Sequence, residues 1–148
     1  MALKDQLMAD MKEAMKAHDK DRLAVIRMVR GAVRQQEIDG KKELEDSDVI
    51  AVISKEVKMR RDSIEEFNKG GRQDLVEKTQ AEIDILMPYL PAQLSEDEVR
   101  ELVKAAVEAT GAKTQKDMGK VMGKLMPKVK GCADGKMVNN IVRSMLQD

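Results

Sequence analysis

The chain has 148 residues, 42% of them hydrophobic, yet it carries one Phe, one Tyr, no Trp and twelve Met. It is long enough for a real core of Leu, Ile, Val, Ala and Met, but offers almost no rings on which unpaired bases could stack. Lys plus Arg equals Asp plus Glu at 27 each, so net charge excludes no class of partner, and the lone Cys132 excludes an internal disulfide or a cysteine zinc cluster.

Almost every segment repeats its apolar residues at helical period. The first helix is expected over Ala2 to Ala17, with Leu3, Leu7, Met11 and Met15 on one face. A second follows the polar break His18-Asp19-Lys20-Asp21, carries Leu23, Ile26, Val29 and Val33, and ends near Gly40. The third spans about Asp48 to Asn68, with Val49, Ile53, Val57, Ile64 and Phe67 inward, and Gly70-Gly71 stops it. The fourth runs from about Gln73 to Leu86. Pro88 and Pro91, three apart, then end helical structure and set an extended connection. The domain boundary falls between Pro88 and Leu94, giving residues 1–90 and 91–148.

The second part restarts on a capping box, Ser95 with Glu98, and its first helix ends at Gly111. Thr114 is expected to cap the next helix, through about Met126, with Pro127 and Gly131 closing it; Asp134 caps the last, to about Leu146. No window alternates at period two. The fold class is all-α, a four-helix bundle followed by a smaller three-helix bundle.

Charge is concentrated near the end. Lys113–Arg143 holds Lys113, Lys116, Lys120, Lys124, Lys128, Lys130, Lys136 and Arg143 against only Asp117 and Asp134, a local basic field that the balanced total hides. On a wheel at about 100° per residue, Met118, Val121, Met122, Leu125 and Met126 form an apolar stripe. Lys116, Lys120 and Lys124 fall on the far side, and Gly119 and Gly123 lie between. Each glycine costs about 0.8–1.0 kcal/mol relative to Ala inside a helix, so something should offset the pair. Close packing on a neighbouring helix is the favoured reading; approach of a sugar-phosphate strand, which the lysines would attract, is the alternative. Further on, Lys128, Lys130 and Lys136 surround the helix start at Asp134, where first-turn amides attract anions. A solvated lysine loop is the plainer reading, and the Asp134 carboxylate would compete with an anion at the cap.

Other features are set aside. Gly119-Lys120-Val121-Met122-Gly123-Lys124 has one residue too few between its glycines for a P-loop, and Leu125 where Ser or Thr should be. His18, the only histidine, lies in a charged break and reads as a surface residue. Cys132 has no second cysteine or histidine near it in sequence to make a nucleophile. No catalytic residue, metal or cofactor is expected. Arg30 and Arg60 fall toward the core side of the first bundle and should find carboxylate partners there. With Arg27 and Arg34 they leave room for a second basic surface, and a Met-rich face can also be an adaptable protein-binding groove. The opening MALKDQLMAD is too charged for a signal peptide. No run reaches the roughly 18 uncharged apolar residues of a membrane helix, so the expected compartment is the cytosol.

The stretches KDMGKVMGKLMPKVKGCADGKMVNNIVRSML and VKMRRDSIEEFNKGGRQDLVEK, with the YLP turn between them, resemble the GatB/YqeY domain family from about Leu3 to Leu146. DMGKVM followed by KGCADGK is the most specific part, and the stand-alone YqeY-like members are the nearest kind. The resemblance implies the four-plus-three helical fold. It also implies tRNA or another structured RNA as partner, since the same domain ends GatB, a subunit of the amidotransferase that converts glutamate on a mischarged tRNA to glutamine. By position it points at Lys116, Gly119, Lys120, Gly123, Lys128, Lys130 and Lys136; the lysine row adds Lys124.

The expected function is a non-catalytic tRNA-binding accessory protein, with contacts to backbone and shape rather than stacked bases. A protein-interaction module docking on an aminoacylation or amidotransferase assembly is the second reading. The third is an auxiliary component of the carbon–nitrogen ligase that takes nitrogen from glutamine; that label belongs by resemblance to the multisubunit enzyme.

Overall fold

The computed structural model describes residues 2–147. Seven α-helices are present among them: α1 (Leu3–Lys16), α2 (Lys20–Gly40), α3 (Asp46–Lys69), α4 (Gln73–Leu86), α5 (Glu96–Thr110), α6 (Met118–Val129) and α7 (Gly135–Met145). The chain is all-α. The one extended pairing among the described residues is an isolated bridge between Thr114 and Gln147. Two compact units divide at Leu90 and Pro91.

In the first unit α1 packs on α2, α3 on α4, and α2 on both α3 and α4. Ile26, Val29, Val49, Ile53 and Leu86 are fully enclosed. In α1 the buried residues are Leu7 and Ala14, while Met15, expected on the same face, is 47% exposed. Ala14 is the residue enclosed there, and Met15, one position on, lies at the open edge between α1 and α2. The turn between α1 and α2 uses His18 at φ 55°, a left-handed conformation that His tolerates better than most residues.

Helix α3 begins two residues earlier than its apolar periodicity suggests. Asp48 turns back to accept the Glu45 amide at 3.1 Å, and Asp46 accepts the Leu3 amide at 3.0 Å, satisfying a free donor at the start of α1. The loop residue Leu44 is buried as deeply as the helix core. Its amide donates to Glu37 at 2.8 Å, and Lys4 reaches the same oxygen at 2.8 Å.

Arg60 has the carboxylates expected for it. Glu56 lies at 2.8 Å and Glu82, on α4, at 3.2 Å. Arg30 does not: its Nη1 donates to the Met11 sulfur at 3.0 Å, and no carboxylate pairs with it among the described residues.

A short 3-10 turn, Met87–Tyr89, ends the unit. The Tyr89 hydroxyl donates to the Asp10 carboxylate on α1, with Arg22 3.7 Å from Asp10. Burial first, and then the Asp10 acceptor, hold the phenol well above the ordinary tyrosine range. A pKa raised on folding means the contribution is fully present below the unfolded value of about 10 and is lost as pH rises beyond it. Tyr89→Phe is therefore expected to lower stability by about 1–2 kcal/mol at neutral pH. It should also remove that part of the alkaline loss, read from urea midpoints at pH 7 and about pH 11.

In the second unit α5 packs on α6 and α7, and α6 on α7. Val99, Val103, Val121, Leu125, Val138 and Val142 form an enclosed aliphatic core. Ser95 caps α5 by accepting the Glu98 amide at 3.1 Å, and Gly111 ends it at φ 68°. Gln115 bridges the start of α6 to the end of α7, its Nε2 donating to the Arg143 and Leu146 carbonyls, each at 3.0 Å.

Candidate nucleic-acid interface

Helix α6 is held by one side. Val121, Leu125 and Val129 are buried, and Met118 and Met122 are packed against the same core. The opposite side is open. Gly119 and Gly123 are exposed, and a Cβ built on either meets no atom within 4 Å. The favoured expectation, that the glycines let a neighbouring helix of the chain pack closely, is therefore overturned. Nothing among the described residues approaches either one. Gly123 lies inside α6 and Gly119 in its first turn; the interior one costs about 0.8–1.0 kcal/mol relative to Ala, and nothing in the second unit among the described residues packs on either to offset it.

The lysine row differs from its wheel. Lys116 belongs to a 3-10 turn, Gln115–Asp117, that leads into α6 and winds more tightly than an α-helix. The row within α6 is Lys120, Lys124 and Lys128, about 6 Å apart along the axis. Lys128 joins it because Pro127 does not stop the helix. A proline disrupts through its missing N–H and its clash with the carbonyl four residues back. Here that carbonyl belongs to the exposed Gly123, and the Lys130 amide still closes on Met126 at 2.9 Å. Met126 itself, placed in the apolar stripe, is 41% exposed and lies on the glycine side.

Lys116, Lys120, Lys124, Lys128 and Lys130 are all exposed, and none of them forms an ion pair among the described residues. Asp117 is the nearest acid in sequence. Its carboxylate accepts the Lys113 amide at 3.0 Å and the Thr114 amide at 3.3 Å. These two bonds, the Lys113 one first, hold its pKa below the usual carboxylate value, with Lys120 adding a smaller attraction. Stability from a lowered carboxylate is present above the unfolded pKa of about 4 and is lost as pH falls through the folded one. Asp117→Asn should therefore flatten the acid limb of the unfolding curve below about pH 4, measured by circular dichroism in a pH titration.

The α6–α7 connection is anchored rather than loose. The Leu94 amide donates to the Cys132 carbonyl at 2.7 Å, Gln93 donates to the Gly131 carbonyl at 2.9 Å, and Gly131 takes φ 77°. At the start of α7, Asp134 accepts the Lys136 amide at 3.1 Å. The chain's own carboxylate thus occupies the cap, the competitor expected there for any docking anion. Lys130 and Lys136 are exposed on either side of this turn in sequence. Among the described residues no helix is long and apolar enough to cross a membrane.

The profile of the Yqey-like protein family matches residues 4–146. Relatives named altered inheritance of mitochondria protein 41, mitochondrial, come from several fungi. The one from Pyrenophora tritici-repentis is 39% identical over 106 residues, 70% of this chain and 58% of the relative. The Kluyveromyces lactis protein is 44% identical over 87 residues, 58% of this chain and 47% of the relative. That of Saccharomyces cerevisiae strain YJM789 is 36% identical over 111 residues, 72% and 60% respectively. This chain spans about half the length of the curated relatives it matches. With nearly every described residue inside the matched span, the chain belongs to the YqeY-like family.

Proposed function

We propose that this protein is a non-catalytic accessory factor that binds tRNA or another structured RNA through the outer face of α6. One observation carries the reading: two glycines of α6 that no described residue of the second unit approaches, beside Lys120, Lys124 and Lys128, none of which forms an ion pair among the described residues. A ribose-phosphate strand fits both. Phosphates satisfy the lysines, and the missing side chains let the strand lie against the helix backbone. One Phe and one Tyr in the whole chain favour contact with backbone and shape over stacking.

Relation to tRNA-dependent amidotransferase function is part of the proposal, by the resemblance to GatB. The cytosol is the proposed compartment; the fungal relatives carry "mitochondrial" in their names, and fractionation of cells expressing a tagged chain decides between the two. The test is binding of bulk tRNA across a salt series, with the variant Lys120→Glu/Lys124→Glu/Lys128→Glu alongside. Loss of three phosphate contacts should flatten the log–log salt slope by about 2–3 and cut low-salt affinity more than about ten-fold, with helicity unchanged. Equal slopes for the two proteins would remove α6 from the interface.

A protein-docking module is the second reading, favoured by the exposed Met126 beside the glycines. A partner retained on the immobilised protein after RNase and at high salt would support it. An auxiliary role within the amidation reaction itself requires stimulation of glutamine formation on tRNA when the protein is added to the other subunits.

A further inference from the structure

We infer that the groove between α1 and α2 is a docking site for an acidic amphipathic helix of another protein. The groove encloses about 710 Å³. Its α1 wall is made of methionines: Met8 and Met15 are 41% and 47% exposed, and Met11 lies partly buried between them. Unbranched thioether side chains of this kind adapt to an incoming apolar surface. The α2 wall presents Arg27, Arg30 and Arg34.

Arg30 is the decisive residue. Its counterpart Arg60 has two carboxylates, whereas the partly buried Arg30 guanidinium donates to the sulfur of Met11, a weak acceptor. Neither Arg27 nor Arg34 has a carboxylate within ion-pair distance among the described residues. The acids on the groove wall reduce this balance without cancelling it: Glu37 is bound by Lys4 at 2.8 Å and attracts Arg34 more weakly, and Asp5 lies beside Lys4 on α1, so four basic residues face two acids. The site is basic over an apolar floor.

Spacing narrows the occupant. Positions 27, 30 and 34 rise along α2 by about 4.5 and 6 Å. Carboxylates three and four residues apart on a second helix match that ladder, and each can take an arginine fork in bidentate fashion. Between Arg30 and Arg34 sits Gly31, exposed and mid-helix, where a Cβ would meet nothing within 4 Å. The second backbone can therefore approach α2 closely there. A nucleic acid would satisfy the arginines but would leave the methionine floor against polar ribose and phosphate, so an apolar-and-acidic peptide is the better complement.

The probe is a synthetic helix of about 18 residues, with Glu at three positions spaced three and four apart and Leu on the adjoining face. A control carries Lys in place of each Glu. Fluorescence anisotropy should give micromolar binding of the acidic peptide to the full chain, at least about ten-fold tighter than the control. Arg30→Gln and, separately, Gly31→Gln should each weaken it about ten-fold. A Cβ at Gly31 meets no atom within 4 Å and Gln is a better helix former than Gly, so Gly31→Gln is expected to fold at least as stably as the parent, which guards against a trivial loss. Acidic and basic peptides binding alike, or acidic-peptide affinity untouched by both substitutions, would overturn the proposal. So would a groove whose substitutions weaken tRNA binding and leave the peptide unaffected. The Lys120→Glu/Lys124→Glu/Lys128→Glu variant should bind the peptide normally.

Discussion

Replacing Gly119 and Gly123 together by Ala is expected to stabilise the protein while weakening its binding to tRNA. Replacing the interior Gly123 removes a penalty of about 0.8–1.0 kcal/mol, Gly119 in the first turn adds a smaller gain, and the added methyl groups meet no atom within 4 Å. The melting temperature of the second unit should rise by about 4–8 °C or somewhat more. The same methyl groups stand where the partner's backbone is proposed to lie. A Gln pair, also a good helix former, should remain more stable than the parent and lose binding by more than about ten-fold. Stability and affinity then move in opposite directions, which no general unfolding effect can mimic. A Gln pair that binds as well as the parent would leave the glycines without the role given to them.

Leu125→Ala is expected to have the largest effect on folding. Leu125 is fully buried on α6 in an aliphatic core shared with α5 and α7. Leu-to-Ala changes at such sites cost about 3–5 kcal/mol, part lost transfer energy and part cavity. A unit of about 60 residues has on the order of 5 kcal/mol or less in total. The second unit should therefore be substantially unfolded at 25 °C, with the amide signals of α5–α7 losing their dispersion in NMR spectra. Leu125→Met conserves volume and should cost less than about 1.5 kcal/mol. An unchanged urea midpoint for Leu125→Ala would mean that α6 is not anchored through this stripe.

The helices were legible because their apolar residues recur at 3.6, and their ends because Ser95, Gly111, Gly71 and Asp134 have strong local preferences. What periodicity cannot do is rank residues at the edge of a stripe. Met15 and Met126 were placed on the apolar side of their wheels, yet each is more than two-fifths exposed. Buried loop residues were equally out of reach: Leu44 and Ala112 lie between helices, where no repeat marks them. The lysine row was found in outline. Lys116 lies outside it because Gln115–Asp117 is tied to the end of α7 by hydrogen bonds across the unit, and Lys128 belongs to it because Pro127 is absorbed within α6 opposite an exposed glycine.

The glycine pair shows the limit most clearly. Its cost could be read from the sequence, but whether a helix of the same unit lay opposite could not, and among the described residues of that unit none does. The Arg30 site is similar. Its wheel position brought it near the core, and only the folded arrangement separates it from carboxylates while giving two to Arg60.

The central claim is that RNA lies against the outer face of α6, and backbone amides report it most directly. In a titration of isotope-labelled protein with tRNA at low salt, followed by amide correlation spectra, Gly119, Lys120, Gly123 and Lys124 should shift or broaden first. The effect should reverse as salt is raised through a few tenths molar. Signals of α6 that stay fixed while other helices respond, or no response anywhere, would contradict the account.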